Sequence, residues 1–241
     1  MAAKFTILQR SHPSRDKWLL LVDRYKAFRL LSLRLSPDCF GSTYAREAAF
    51  PPEKWHSRLS DPQATTIVAV EGPYGNNLAQ NASPFKDTYE GGFNLALEAE
   101  WQASLVINGP LDPKTLALFL HLDEKIADLG PAHKTIGIAR QYVINGMYVI
   151  PSARGKNLGV HILEYAKRFI VSETKEHGER ARLSLTVDYD NTSARRVYEK
   201  CGFVVVHRYW FDDYREGREA RTEAAVMMLD LDSDSIDHVV H

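Results

Sequence analysis

Hydrophobic positions recur along this chain with two periods, and the changes from one to the other mark its elements. Phe5 to Arg10 reads as a short first strand. Ser14-Arg15-Asp16-Lys17 then starts a helix that carries Trp18, Leu19, Val22, Tyr25, Leu30 and Leu33 and stops at Ser36-Pro37. Ser42 to Ala49 predicts a second helix, and Pro52-Glu53-Lys54-Trp55 opens a third. Ala64 to Glu71, rich in Thr, Ile and Val, predicts a strand ended by Gly72-Pro73, and Trp101 to Asn108 predicts another. Residues 72–100 hold clusters of Gly, Asn and Ser and exceed what a hairpin needs, so they read as an insertion, either a mobile loop or a lid. A second insertion, about 109–135, contains a predicted helix from Lys114 to Leu129 with Leu116, Phe119, Leu120 and Ile126 on its apolar side.

Further on, the pattern predicts a long strand from Ile138 to Ile150, a helix from Leu158 to about Lys175, a strand from Arg182 to Val187, a helix from Thr192 to Lys200, and strands from Phe203 to Trp210 and from Ala224 to Leu231. A strand, crossover helix and parallel strand in that order put the helix N-terminus at the carboxyl end of a strand. Residues 1–231 are expected to form one domain and 232–241 a polar tail.

Composition narrows the partners more than the fold. The chain has 241 residues, 44% apolar and 25% charged, as in an ordinary globular protein. Its 30 basic and 31 acidic residues leave a net charge of −1, which argues against nucleic acid or an anionic membrane as partner. Cys39 and Cys201 lie far apart, and the nine histidines form no His-Glu-x-x-His pair, so neither a disulfide framework nor a metal is expected. Met1-Ala2-Ala3-Lys4-Phe5 lacks the apolar core of a signal peptide, and the expected compartment is the cytoplasm or nucleus. The oligomeric state is open between monomer and homodimer.

The segment from Val149 and Ile150 to Gly159 lies between a strand and an amphipathic helix. A turn there aims unpaired N–H groups outward and adds the positive end of the helix dipole, which suits a diphosphate. Gly155 and Gly159 allow close approach, and Arg154 and Lys156 can offset phosphate charge; a plain Gly-containing turn has the same look. Later, Asn191, Ala194 and Tyr198 fall on one helical stripe, and Gly202 is placed to end that helix.

Together these segments resemble the GCN5-related N-acetyltransferase (GNAT) superfamily. Its phosphate motif, Arg/Gln-x-x-Gly-x-Gly/Ala, is met by Arg154 and Gly159, with Asn157 in place of the middle Gly; Asn tolerates the left-handed geometry required there. Its later signature, Asn-x-x-Ala-x-x-x-Tyr-Glu-Lys-x-Gly-Phe, is met at each named place by Asn191 through Phe203. The resemblance is strong over roughly 138–210 and looser over Arg29 to Leu33, Ser36-Pro37 and Phe40 to Tyr44, a region that in the family borders the acceptor entrance. Neither insertion has a counterpart.

The resemblance implies an α/β fold of the α+β type: a single domain around a central, mixed, mostly antiparallel twisted sheet, with two adjacent parallel strands splayed around the cofactor and helices on both faces. It implies acetyl-CoA as cosubstrate and no metal. Backbone groups of Val149 and Ile150 would meet the pantetheine arm and the acetyl carbonyl. Arg154, Gly155, Lys156, Asn157, Leu158 and Gly159 would hold the diphosphate, and Asn191 would bond the pantetheine amide. Tyr198 would be the general acid for the departing thiolate, and Tyr44 would lie on the acceptor wall. Asn191 could equally be an N-cap, and Tyr198 a packed aromatic. Cys201 reads as a small buried hydrophobe. The general base stays open among Tyr142, Tyr148, Asp188, Glu47 and a water chain. The expected activity is direct transfer of acetyl to a primary amine, a small molecule first. The alternatives are a catalytically silent acyl-CoA-binding module and a protein or peptide N-acetyltransferase.

Overall fold

In the computed structural model, which describes residues 3–71, 89–122, 138–175, 179–215 and 218–232, the elements follow in the order β1 (Ala3–Ile7), α1 (Arg15–Leu35), α2 (Tyr44–Ala48), α3 (Pro52–Ser60), β2 (Ala64–Glu71), α4 (Tyr89–Glu98), β3 (Trp101–Asn108), α5 (Pro113–Leu120), β4 (Ile138–Val149), α6 (Leu158–Lys175), β5 (Arg180–Asp188), α7 (Thr192–Lys200), β6 (Val204–Asp212) and β7 (Arg221–Leu231). The strands hydrogen-bond in the order β1-β2-β3-β4-β5-β7-β6. β1 with β2, β5 with β7 and β6 with β7 are antiparallel, whereas β4 and β5 are parallel, so the mixed α/β sheet has the expected parallel pair. No helix among the described residues is long and apolar enough to cross a membrane.

The chain's contacts divide it into two compact units. The first comprises Met1–Val106 and Gly146–Ile162. Here α1 starts because the Ser14 hydroxyl accepts from the Lys17 N–H, and it ends where the Ser36 N–H bonds the Ser32 carbonyl ahead of Pro37. Its buried residues Leu21, Val22, Phe28 and Leu33 join Trp55, Leu59, Val68, Val70, Phe93, Trp101 and Tyr148 in one core. Each such aliphatic side chain contributes roughly 1.5–3 kcal/mol by leaving water. β1 runs over Ala3–Ile7, two residues earlier than the alternation predicts, because its ladder with β2 pairs Ala3 with Glu71 and Ile7 with Ile67.

The insertion expected as loop or lid over 72–100 needs correction in its second half, since Tyr89–Glu98 is the helix α4. The glycines that suggest a loop have a packing role: a Cβ on Gly92 would come within 2.7 Å of the Thr6 hydroxyl, so Gly lets the helix approach β1. Residues 72–88 lie outside the described residues.

The second unit comprises Ile107–Asn145 and Leu163–His241. Its core includes Leu111, Leu116, Ala117, Leu120, Val143, Val226 and Met228. The helix expected over 114–129 is Pro113–Leu120, capped by Asp112 and ended by His121 at φ 54°. Residues 123–137 and the tail from 233 onward lie outside the described residues. β5 pairs with β7 from Ala181↔Leu231 to Asp188↔Ala224. With β4 it pairs only from Ile138↔Arg180 to Val143↔Ser184, although β4 runs on to Val149 and β5 to Asp188.

The first unit also buries a carboxylate. Glu47 is 1% exposed, and its two oxygens accept from Arg29 Nη2 at 2.7 Å and Arg58 Nη1 at 2.7 Å. Burial alone would push this carboxyl up, but the hydrogen bonds and charges of Arg29 and Arg58 outweigh it and hold the group at about 2 against an ordinary 4.5. A depressed folded pKa gives stability that is complete above the ordinary value and is lost as pH falls from about 4.5 toward about 2. Glu47→Gln is therefore expected to lower unfolding free energy at pH 7 by on the order of 3 kcal/mol. Denaturant titrations should show the gap to wild type closing as pH falls through that window.

Candidate active site

β4 leads into the segment singled out in the sequence through a short 3-10 turn, Pro151–Ala153. Gly155 then takes φ 76° and Asn157 φ 58°, both left-handed. Asn157 thus stands left-handed at the place where the resembled motif has Gly, and its short amide side chain tolerates that backbone. The His161 N–H bonds the Asn157 carbonyl as α6 begins. The N–H groups of Gly155, Lys156, Leu158 and Gly159 have no backbone carbonyl partner among the described residues, and a Cβ on Gly155 would meet nothing within 4 Å. Open donors, a helix N-terminus and clear space fit an anion of diphosphate size.

The cationic side chains of the turn are arranged differently from expectation. Arg154 Nε donates to the Val149 carbonyl at 3.0 Å and Nη2 to the Ser36 hydroxyl at 2.8 Å, with the guanidinium 5.7 Å from the Tyr148 ring centroid. Arg154 therefore fastens the turn to the end of β4 and to the cap of α1. Lys156 Nζ donates to the Ser152 carbonyl at 3.3 Å. The Ile150 N–H donates to the Gln102 carbonyl at 2.9 Å, so it and the Val149 carbonyl already have protein partners. Tyr44 is exposed at the start of α2, with the Arg34 guanidinium 6.0 Å above its ring.

In the second unit, Asn191 is the N-cap of α7, its Oδ1 accepting from the Ala194 N–H at 3.1 Å. Tyr198 lies about two turns further along the same helix, buried and edge-to-face with Phe203 at 5.9 Å. Cys201 is buried, and burial followed by the nearby Glu164 charge pushes its thiol up to about 12, so it is no thiolate nucleophile.

Two of the groups left open as general base, Glu47 and Asp188, are bonded by arginines. Glu47 is ionised and doubly bonded to arginines, so it accepts no proton near neutral pH. Asp188 Oδ2 accepts from Arg215 at 2.7 Å and Arg218 at 3.0 Å. Burial, only partly opposed by Arg140, pushes the Tyr142 phenol up. Sequence reading missed these ion pairs, whose partners stand 11 to 30 residues apart.

The parallel pair β4 and β5, joined through α6, gives an α/β arrangement whose first turn carries left-handed residues and N–H groups that fit an anion. The sequence profile of the Acetyltransferase (GNAT) family matches residues 122–203. The Bacillus subtilis (strain 168) protein described as Uncharacterized N-acetyltransferase YhfO is 31% identical over 75 residues, which is 31% of this chain. That match takes in 47% of the relative, about half its length. Among solved structures, Arabidopsis thaliana NAA60 in complex with acetyl-CoA superposes with a TM-score of 0.56 at 13% identity, covering 95% of this chain and 99% of that one. An acetyltransferase of the GNAT family from Streptococcus pneumoniae gives 0.56 at 15% identity, covering 95% and 100%. At these identities the likeness is one of fold. The matched profile and the two sequence motifs fall on the same part of the chain, and there it is similar to the GNAT family.

The left-handed Asn157 has a measurable consequence. Asn157→Val puts a β-branched residue at φ 58° and should cost about 1–2 kcal/mol in denaturant unfolding. Asn157→Gly should stay within about 0.5 kcal/mol of wild type.

Proposed function

We propose that the protein is an acetyl-CoA-dependent N-acetyltransferase that acts on a primary amine, with a small molecule as acceptor. The observation that carries this reading is the turn from Arg154 to Gly159, with two left-handed residues and four N–H groups open at the start of α6. The diphosphate of acetyl-CoA would take those donors. The ladder between β4 and β5 stops at Val143↔Ser184 while both strands continue, which supports a pantetheine arm bonded by strand backbone. Asn191 would contribute its Nδ2, a different atom from the Oδ1 that caps α7.

In the proposed reaction the amine nitrogen bonds the acetyl carbonyl carbon and the carbon–sulfur bond breaks. Tyr198 gives its phenolic proton to the leaving sulfur and recovers one, through water, from the nitrogen that becomes the amide. Water is the proton route because the carboxylates of Glu47 and Asp188 are held by arginines. Ser36 and α1 belong to the same unit as the turn and are joined to it by Arg154. That supports an acceptor wall built from residues 29–44, with Tyr44 on it. The helix α4 in the first insertion contacts β1 and α1, which supports a confined acceptor.

Two measurements test the reading. Gly159→Asp adds a negative charge in the first turn of α6, where the helix dipole favours it, so the fold should hold. Calorimetry should nevertheless show acetyl-CoA affinity at least about tenfold weaker; equal affinity would move the cofactor elsewhere. Tyr198→Phe should lower kcat by about 10²–10⁴-fold with little change in acetyl-CoA affinity. Unchanged turnover where chemistry limits the rate would reduce Tyr198 to packing, and a wild type that binds acetyl-CoA but acetylates no amine would favour the silent module.

A further inference from the structure

Only Tyr189 and Asp190 separate Asp188, the last residue of β5, from Asn191, the cap of α7. Each residue of this short link is held by groups from β6, β7 or their connection. The Tyr189 N–H donates to the Glu223 carbonyl at 2.7 Å, and the Tyr189 ring has the guanidinium of Arg195 at 4.2 Å and that of Arg208 at 4.6 Å. Arg218 Nη2 donates to Asp188 Oδ2 at 3.0 Å and to Asp190 Oδ1 at 3.2 Å, while its Nη1 donates to Asp190 Oδ2 at 2.9 Å. One planar guanidinium thus bridges the residues on both sides of Tyr189. A lysine ammonium, as a point charge, cannot reproduce that fork.

Arg215 makes a different set of bonds. It donates to Asp213 through Nε at 2.8 Å and Nη2 at 2.5 Å, and to Asp188 through Nη1 at 2.7 Å. Thr222 Oγ1 also donates to Asp213 Oδ2, at 2.6 Å. The Asp213 side chain is 1% exposed, whereas that of Asp190 is 63% exposed. If Arg218 is lost, Asp188 keeps Arg215, Asp213 keeps Arg215 and Thr222, and Asp190 falls back on water. If the Arg215 side chain is lost, the buried charge of Asp213 keeps the Thr222 hydroxyl, and among the described residues its remaining cation is Arg218 at 3.5 Å.

We infer that Arg218 is a positioning residue that sets where α7 begins, and through it the presentation of Asn191 and Tyr198, whereas Arg215 secures the β6–β7 connection itself. The inference rests on the proposed cofactor and acid roles of those two α7 residues. Small misplacements of catalytic groups cost up to about 10² in rate, so a clamp on the start of α7 acts on turnover without touching substrate.

The test compares Arg218→Gln, Arg218→Lys, Asp190→Asn and Arg215→Gln. Arg218→Gln should keep a melting temperature close to wild type, lower kcat at least about tenfold, and raise hydrogen exchange at the Ala194 amide, which the Asn191 cap protects. Asp190→Asn should reproduce these effects, and the double variant should be no worse than either single one. Arg218→Lys should restore only part of the loss, and Arg215→Gln should show the large fall in melting temperature. The inference is overturned if Arg218→Gln leaves Ala194 exchange unchanged, or leaves turnover unchanged in a protein whose wild type transfers acetyl. A wild type that neither binds acetyl-CoA nor transfers acetyl sinks the enzymatic reading instead, and Ala194 exchange still decides whether Arg218 clamps α7.

Discussion

The constraint on which the proposed site depends is the early end of the ladder between β4 and β5. Their pairing stops at Val143↔Ser184, yet β4 continues for six residues to Val149. Backbone groups that lose a strand partner must find another, since an unpaired buried N–H or carbonyl is costly. Gly146, at φ 57°, lies three residues beyond the last pair and changes the course of the strand there. The nearest atom to a Cβ at this position is Val106 Cγ2 at 4.0 Å, so glycine is favoured by its backbone angle and not by crowding. Beyond it the Ile150 N–H bonds Gln102 of β3, the neighbour on the other side, and Arg154 reaches back to the Val149 carbonyl. An arginine expected to face phosphate thus staples the strand that leads into the turn from Arg154 to Gly159.

What the sequence made legible follows from the range of the signal. β2, β3 and α7 fall on the predicted residues because their period, their turn residues and their caps are all local. The same holds for Asn157, whose left-handed backbone follows from one residue's own side chain. α4 was hidden because Gly91 and Gly92 signal a loop unless Thr6, more than eighty residues away, is known to press on Gly92. α5 stops early because His121 turns left-handed, and no Gly or Asn announces it. The ion pairs were hidden for the same reason: nothing in hydrophobic periodicity tells Glu47 that it will meet Arg29 and Arg58, or Asp190 that it will meet Arg218.

Long-range pairing also changes what the candidate residues can do. Glu47 ceases to be a candidate base because two guanidiniums hold it ionised, and in the second unit two guanidiniums likewise bond Asp188. The cysteine is withdrawn from chemistry by the opposite effect, burial that keeps its thiol protonated. Among the residues considered, neutral phenols and open backbone donors remain. These suit the proposed reaction, which asks for a neutral acid for a thiolate and fixed dipoles for a diphosphate. The arginines then divide into two kinds. Arg29, Arg58 and Arg215 neutralise buried carboxylates, and their loss would be felt in folding. Arg154 and Arg218 join segments whose carboxylates and carbonyls could otherwise turn to water, and their loss would be felt in where the turn and α7 sit. In this fold, geometry at the proposed site is held by arginines whose removal leaves no buried charge behind, so substitutions there can change activity while stability stays near its original value.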